Sequence, residues 1–298
     1  MTAGMRSGIV VGVDGSAPSD MALEWAAAEA ASRAVPLTLV HCLDPLPALV
    51  GAFGAPALPV THAELTAAAS RLLHGATETI RAQDPGVSIE TRIVELPAAS
   101  GLIDAGRTAE LLVVGWRGRS ALGGLLLGST AVQAVTHSQC PTVVVRPRPL
   151  TPSGPFAGHV VVGVDGSPSS RAALRFAFEY AERHHLPVAA VHVHFRTQAD
   201  SYFDEQLLQV QIVEADQTGR ALLDAEADPW ALAFPDVPLK RGLYHGRAAS
   251  GLTRAAAGAR LVVVGDRGTG GLRGLLLGSI SLAMVQRAPC PVAVVHER

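Results

Sequence analysis

Cysteine and long apolar runs are scarce in this sequence of 298 residues, and neither sign of charge predominates. The three cysteines, Cys42, Cys140 and Cys290, cannot pair off evenly, and none belongs to a CxxC motif. Their number and spacing argue against a disulfide framework and against a zinc or redox centre of the CxxC type. We therefore expect reduced thiols that are mostly buried.

The charge of the chain is close to balanced. Twenty-four lysines and arginines stand against 26 aspartates and glutamates, which gives a formal net charge of -2, and no basic stretch indicates nucleic acid as a partner. No apolar stretch reaches the roughly 18 unbroken residues of a membrane span, and the first residues lack a signal-peptide pattern. The sequence therefore predicts a cytoplasmic protein with neither nucleic acid nor membrane as a partner.

A long internal repeat is the main feature of what is present. The segment GIVVGVDGSAPS at 8–19 returns as HVVVGVDGSPSS at 159–170, and LLVVGWRG at 111–118 returns as LVVVGDRG at 261–268. The offset is 151 in the first pair and 150 in the second. Because a solenoid unit is far shorter, each copy is a whole domain.

We predict two domains, at 1–147 and 159–298, with the linker 148–158 between them, where proline, glycine and serine are frequent. In each copy, short apolar runs alternate with longer segments of helical periodicity, and Ser167 with Pro168 is typical of a helix start. Such alternation favours parallel strands with right-handed crossovers. The predicted fold is α/β, with two doubly wound five-stranded parallel sheets.

A glycine-rich loop connects a strand to a helix in both copies: VVGWRGRSALGGLLLGST at 113–130 and VVGDRGTGGLRGLLLGSI at 263–280. Helix N-termini expose unpaired N–H groups and a positive dipole end, which suit a phosphate. The glycines would let the backbone approach that anion closely. Asp14 and Asp165 follow the first strand of each copy and would offer acceptors for ribose hydroxyls or a metal across the same crevice.

The combination of VGVDGS, the motif GxxG followed after nine intervening residues by GS, and CPxxVV resembles the universal stress protein family, and it occurs twice over nearly the whole chain. The resemblance implies a tandem two-domain member with an adenine nucleotide alpha hydrolase-like fold and strand order 3-2-1-4-5 in each domain. It also implies ATP binding, for which we expect Mg²⁺ as a companion. We further expect a homodimer and a protein partner of unknown identity.

The resemblance also assigns ligand-binding positions, at the ends of strands and in the glycine loop. In the first copy these are Gly12, Asp14, Cys42, Val114, Gly115, Gly118, Gly128, Ser129 and Thr130. In the second copy they are Gly163, Asp165, Val193, Val264, Gly265, Gly268, Gly278, Ser279 and Ile280. One departure stands beside the second loop, where Asp266 replaces Trp116. Because a carboxylate repels phosphates, we expect a weaker or more Mg²⁺-dependent second site.

The expected function is that of an ATP-binding regulator or sensor in stress adaptation. Neither loop contains the lysine of GxxxxGK[ST], so at most a weak ATPase activity is expected. Two alternatives stay open: a slow ATP hydrolase or adenylating enzyme, and an interaction scaffold with vestigial nucleotide sites. His192 and His194 share one strand face, but two ligands make a poor metal site, so hydrogen bonding at the strand end is favoured.

Overall fold

The structure is a computed structural model that describes residues 8–44, 61–119, 127–149, 153–194, 205–270 and 276–297, with the backbone course alone for 205–212. The chain forms two compact units, Met1–Val145 and Arg146–Arg298. Within the described ranges, none of the helices combines the length and apolar character needed to cross a bilayer.

The first unit is a five-stranded parallel sheet with helices between the strands. Its strands follow the order β3-β2-β1-β4-β5, and Val11 in β1 is paired with Val113 in β4. The elements are β1 (Ile9–Gly12), α1 (Ala17–Arg33), β2 (Leu37–Cys42), α2 (His62–Gln83), β3 (Ile89–Val94), α3 (Ala98–Ala105), β4 (Leu111–Gly115), α4 (Ser129–His137) and β5 (Thr142–Val145).

The second unit repeats this topology with strand order β8-β7-β6-β9-β10, again entirely parallel. The predicted fold class and strand order are therefore confirmed. The elements are β6 (Val160–Gly163), α5 (Pro168–Arg183), β7 (Val188–His194), α6 (Glu205–Ala233), β8 (Leu239–His245), α7 (Ala248–Ala255), β9 (Leu261–Gly265), α8 (Ser279–Arg287) and β10 (Val292–Val295).

The central strands are buried on both faces because helices cover the sheet on each side. β1, β4, β6 and β9 consist almost wholly of buried valine, leucine and isoleucine, each ending in a half-buried glycine. In both units the winding reverses between the first and fourth strands, so a crevice opens at their carboxyl ends. The glycine loops leave the sheet at this point.

Serine caps fix the helices that follow the first strand of each unit. The Ser167 hydroxyl accepts a hydrogen bond from Ser170 N at 3.1 Å, and Pro168 occupies the first helical position, as predicted. Ser16 caps α1 in the same way, through Ser19 N at 3.3 Å. A capping serine removes one unpaired N–H from the helix end and sets the direction in which the helix leaves the crevice.

The predicted linker is partly packed in the structure. Phe156 is buried, and its ring meets the His159 ring edge-on at 5.9 Å between centroids. Gly158 N donates to Gly258 O at 2.9 Å. Residues 153–158 therefore lie against the second unit, where Phe156 contributes to the apolar core.

Candidate functional site

The second unit contains a cavity of about 450 Å³ at the carboxyl ends of β6, β7 and β9. This volume is in the range of small-molecule sites. All nine positions that the family resemblance assigned in the second copy line it, together with Ser170, His192, His194, Arg267 and Thr269. The fold thus brings together residues that are up to about 117 positions apart in sequence.

Asp165 is hydrogen-bonded to two sides of this cavity, the turn before α5 and the glycine loop. Its Oδ1 accepts a hydrogen bond from Ser167 N at 3.0 Å, and its Oδ2 accepts one from Thr269 N at 3.0 Å in the glycine loop. Its own N–H donates to the Ser170 hydroxyl at 3.2 Å. Since each carboxylate oxygen can accept two hydrogen bonds, each retains one acceptor position for a ligand.

Asp14 occupies the equivalent position in the first unit with one more internal partner. Its Oδ1 accepts hydrogen bonds from Ser16 N at 2.9 Å and from the Ser16 hydroxyl at 2.6 Å. Its Oδ2 accepts a hydrogen bond from Arg119 N at 3.0 Å. The remaining acceptor capacity in this unit is therefore concentrated on Oδ2.

Two of the loop glycines lie against the aspartate of their unit. A Cβ atom on Gly118 would lie 2.7 Å from Asp14 Oδ2, and one on Gly268 would collide with Asp165 Oδ2. These glycines therefore allow the loop to approach the aspartate, which is a role that the sequence did not indicate. Their expected role in close approach to an anion stays a prediction.

The first glycine of each loop serves helix packing in the same way. A Cβ on Gly115 would lie 2.6 Å from Pro18 O, and one on Gly265 would lie 2.7 Å from Ser169 Cβ. Both contacts are with the first turn of the helix that follows the capping serine. Glycine at this position therefore lets β4 or β9 pass directly over the start of α1 or α5.

Helices α4 and α8 begin at the crevice without a side-chain cap. Their N-caps are Gly128 and Gly278, which have no side chain to offer. The N–H of each glycine donates back into its loop, to Trp116 O at 2.9 Å and to Asp266 O at 2.7 Å. The first residues of α8, Ser279–Ser281, line the cavity, so the positive end of that helix faces it.

The opposite wall of the cavity is apolar and carries a histidine that the sequence reasoning did not assign to the site. His192 Nδ1 donates to Val164 O at 2.7 Å, and His41 Nδ1 donates to Val13 O at 2.6 Å in the first unit. A carbonyl can only accept, so Nδ1 carries the proton in both rings. In the sequence, these histidines could have been assigned to the site because they recur at the repeat offset of 151. Apolar residues make up the rest of this wall: Val191, Val193, Ala248, Leu252 and Val264.

Cys42 and Val193, the predicted adenine-side positions, end their strands against a helix. Cys42 Sγ lies 2.7 Å from where a Gly101 Cβ would stand, and Val193 Cγ1 lies 2.8 Å from the equivalent point on Gly251. Burial raises the pKa of the Cys42 thiol to about 11. Their side chains therefore pack on α3 and α7, which leaves the strand-end backbone to face the crevice.

Comparison with known proteins gives the family. The sequence model of the Universal stress protein family matches residues 5–146 and 157–296, once for each unit. The chain belongs to the universal stress protein family. This universal stress protein is 35% identical to a universal stress protein of Mycolicibacterium smegmatis, over 98% of this chain and 97% of the relative. It is 32% identical to Universal stress protein Rv2623 of Mycobacterium tuberculosis, over 100% of this chain and 99% of that protein.

A solved structure has the same tandem fold. The crystal structure of a universal stress protein from Archaeoglobus fulgidus DSM 4304 aligns with a TM-score of 0.68 at 17% sequence identity. The alignment covers 98% of this chain and 99% of that chain. At this identity the likeness establishes the fold.

The two units of this universal stress protein differ beside the loop. The Asp266 carboxylate is buried, accepts a hydrogen bond from the Ser169 hydroxyl at 2.6 Å and contacts Arg267 Nε at 3.2 Å. Asp266 does not belong to the cavity lining. The Asp266 side chain turns toward α5, so its carboxylate would not contact a phosphate in the cavity directly.

No group of three or more metal-ligating side chains occurs within the part of the chain that the structure describes. His192 Nδ1 is also engaged by a carbonyl, which leaves this ring one nitrogen for any ligand.

Proposed function

We propose that each unit binds ATP in its crevice and that the protein is a nucleotide-dependent regulator in stress adaptation. The main support for this proposal is the cavity of the second unit, where an uncapped helix N-terminus, a carboxylate with spare acceptor capacity and an apolar wall meet. These are the three surfaces that phosphates, ribose and adenine require. The matching elements of the first unit extend the proposal to both copies.

The phosphates would lie at the start of α8. Backbone N–H groups at an uncapped helix end, together with the helix dipole, stabilise an anion without any lysine. The Ser279 side chain lies at this end of the cavity, and Arg267 stands beside it with an exposed guanidinium. This set supplies hydrogen-bond donors and positive charge on one side of the cavity.

The nucleoside would occupy the other side. Asp165 retains one acceptor position on each carboxylate oxygen, which suits the two ribose hydroxyls. Leu252 and Val264 provide apolar surface for the base, beside the strand-end backbone at Val193. Mg²⁺ prefers carboxylate and phosphate oxygens, so it would arrive with the triphosphate, and Asp165 and Ser279 are candidate protein ligands.

Binding rather than turnover is the favoured role. Neither loop contains the lysine that neutralises a transferring phosphate in P-loop NTPases. A bound nucleotide would contact the glycine loop that is hydrogen-bonded to Asp14 or Asp165, and would thereby alter the surface that a protein partner or a second copy of the chain meets. The naming of full-length relatives as universal stress proteins supports the stress role.

The test starts with protein purified without added nucleotide. The released adenine nucleotide is counted after denaturation, and rebinding is measured by calorimetry. We expect about two nucleotides per chain when both sites are filled, and a ligand-dependent rise in unfolding temperature, since a ligand of the native state stabilises it by mass action. No nucleotide and no rebinding at millimolar MgATP would refute the proposal in favour of a scaffold.

Matched variants connect the binding to the crevice. Gly118→Ala and Gly268→Ala, which displace Asp14 and Asp165, should each remove about one nucleotide per chain. Glu182→Ala, an exposed position on α5, is the control and should bind like the parent. Steady release of ADP or AMP that Asp165→Ala abolishes would instead favour the hydrolase or adenylating alternative.

A further inference from the structure

The two glycine loops differ in the charge that surrounds an arginine common to both. Arg117 and Arg267 occupy equivalent positions, directly after Trp116 in the first loop and Asp266 in the second. Over 113–130 the sequence contains two arginines and no acidic residue, whereas over 263–280 it contains two arginines and one aspartate. The formal charge is therefore +2 in the first loop and +1 in the second.

In the second unit the arginine is held by a carboxylate. Arg267 Nε lies 3.2 Å from Asp266 Oδ2, while Asp266 Oδ1 accepts the Ser169 hydroxyl hydrogen at 2.6 Å. The Asp266 side chain is 5% exposed and that of Arg267 is 56% exposed. A buried charge is screened less by salt than an exposed one, so Asp266 offsets the charge that Arg267 presents to the cavity.

In the first unit the arginine lies against a neutral ring. The Arg117 guanidinium carbon is 4.3 Å from the centroid of the Trp116 ring, a cation–π contact. Among the described residues, the buried Arg117 Nε has no hydrogen-bond acceptor. An aromatic ring attracts the cation without cancelling its charge, so Arg117 keeps a full positive charge at the position that Arg267 occupies in the second unit.

The two units differ at a second position that contacts the first. Ser169, which donates to Asp266, occupies the place of Pro18 in the first unit. The pair Pro18 and Trp116 is thus replaced by the hydrogen-bonded pair Ser169 and Asp266. Because serine replaces proline where aspartate replaces tryptophan, the buried Asp266 carboxylate has a hydrogen-bond donor in the second unit.

We propose that the two sites differ in the phosphate charge they accept: the first unit takes a free nucleoside triphosphate, and the second takes its Mg²⁺ complex. Asp266 is the positioning residue that sets this difference, acting through Arg267 and not by contact with the ligand. The inference rests on the proposed nucleotide binding. It replaces the direct repulsion expected from the sequence with an indirect effect on the arginine.

The physical reason is the charge of the ligand. Free ATP carries about four negative charges at neutral pH, and bound Mg²⁺ cancels two of them. The interaction of a cation with a phosphate grows in proportion to that charge. A site whose arginine is offset by Asp266 therefore loses more affinity for free ATP than for MgATP, whereas a site with Arg117 gains from the extra charge.

The test measures both sites in the full chain by hydrogen exchange. Amide protection of 127–137, at α4, and of 276–287, at α8, is followed while ATP is titrated with EDTA or with Mg²⁺. With EDTA, the apparent Kd of the first unit for ATP should be about tenfold lower than that of the second. Mg²⁺ should bring the two Kd values closer together. Asp266→Asn should lower the second unit's Kd for free ATP about tenfold and leave its Kd for adenosine unchanged.

Ser169→Ala is the matched control, because it removes the hydroxyl that holds Asp266 but retains the charge. It should preserve the Mg²⁺ dependence of the second unit, which a purely structural role of Asp266 would not allow. The double variant Pro18→Ser with Trp116→Asp provides an independent test and should make the first unit Mg²⁺-dependent.

Equal Kd values for the two units with EDTA, or a ratio that Asp266→Asn leaves unchanged, would overturn the inference while nucleotide binding stands. Absence of protection in both helices at millimolar nucleotide would refute the binding function itself. The two failures are therefore distinguishable.

Discussion

Asp165 Oδ2 accepts a hydrogen bond from the backbone N–H of Thr269 at 3.0 Å, although 104 residues separate the two in sequence. Asp14 and Arg119 repeat this bond at 3.0 Å in the first unit. In each unit the bond joins the turn after the first strand to the glycine loop after the fourth. The aspartate thus shapes the loop in addition to any contact with a nucleotide.

Removal of this carboxylate should release the loop. Asp165→Ala leaves two backbone N–H groups without their acceptor, and hydrogen bonds to a charged group contribute about 1.5–3 kcal/mol each in general. Because the site is half-exposed and water can replace part of the loss, we expect a net destabilisation of about 1–2 kcal/mol. Urea unfolding and hydrogen exchange at Thr269 would measure it.

The control for this prediction is Glu182→Ala, which removes an exposed carboxylate from α5 in the same unit. Its free energy of unfolding should change by less than about 0.5 kcal/mol. If Asp165→Ala were as stable as this control, with Thr269 equally protected, the structural role of the aspartate would be disproved.

Gly265→Ala should destabilise the second unit. The added Cβ would lie 2.7 Å from Ser169 Cβ and 2.8 Å from Ser169 C, and backbone atoms cannot move aside as a flexible side chain does. Overpacking of this kind costs about 1–3 kcal/mol. Chemical denaturation would measure the loss, and Gly115→Ala should behave alike because its Cβ would approach Pro18 O to 2.6 Å.

Gly75→Ala is the matched substitution with the opposite expectation. Gly75 is an exposed interior position of α2, and a Cβ there would meet nothing within 4 Å. Alanine in a helix is favoured over glycine by about 0.5–1 kcal/mol, so stability should rise by that amount. A loss of stability in Gly75→Ala comparable to that in Gly265→Ala would contradict the steric explanation.

The start of α2 should weaken in acid. Hydrogen bonds from Thr61 N and from the Thr61 hydroxyl, both at 2.8 Å, lower the pKa of Glu64 below its ordinary value of 4.5. A carboxyl with a depressed folded pKa stabilises the native state above its unfolded pKa, and that contribution is lost as pH falls through the folded pKa. Exchange of the first α2 amides should therefore accelerate below about pH 4.5.

Glu64→Gln removes the titrating group and leaves an amide that can still accept at Thr61. Exchange at the start of α2 should then lose this pH dependence, while the rest of the helix behaves as in the parent. An unchanged acid response in Glu64→Gln would assign the effect to another group.

The three thiols should react slowly in the native protein. Burial raises the pKa of Cys290 to about 12 and that of Cys42 to about 11, and Cys140 is also buried. Because the thiolate is the reactive form, iodoacetamide at about pH 8 should label all three only after unfolding. Intact-mass measurement would count the adducts, with Glu24→Cys at an exposed position of α1 as a rapidly labelled control. Cys42 is half-buried, so it is the most sensitive of the three, and its rapid labelling in the parent would contradict the raised pKa.

The topology was predictable because its signals are local and occur twice. Short buried runs such as β6 and β9 follow from consecutive valines, and Ser167 with Pro168 marks the start of α5. The order of strands came from the family resemblance. Each signal is read from neighbours in the chain, so no knowledge of distant contacts was needed.

The details of the site were less predictable because they depend on where side chains point. Asp266 adjoins a predicted phosphate loop in sequence, yet its carboxylate is turned toward Ser169. The backbone direction at the end of β9 and the position of α5 decide this orientation. His192 was assigned a role at the strand end, but its carbonyl partner, Val164, lies 28 residues away.

Sequence was sufficient for the family, the duplication, the alternation of strands and helices, and the residues at the strand ends, because these follow from local pattern and from the repeat. Tertiary structure was needed to learn what the glycines accommodate and which partner each charge has. Gly268 makes room for Asp165, and the positive charge of Arg267 is offset by the carboxylate of Asp266. Such contacts depend on the packing of segments about 100 residues apart in sequence, because steric fit and electrostatics depend on distances in space and not on separation along the chain.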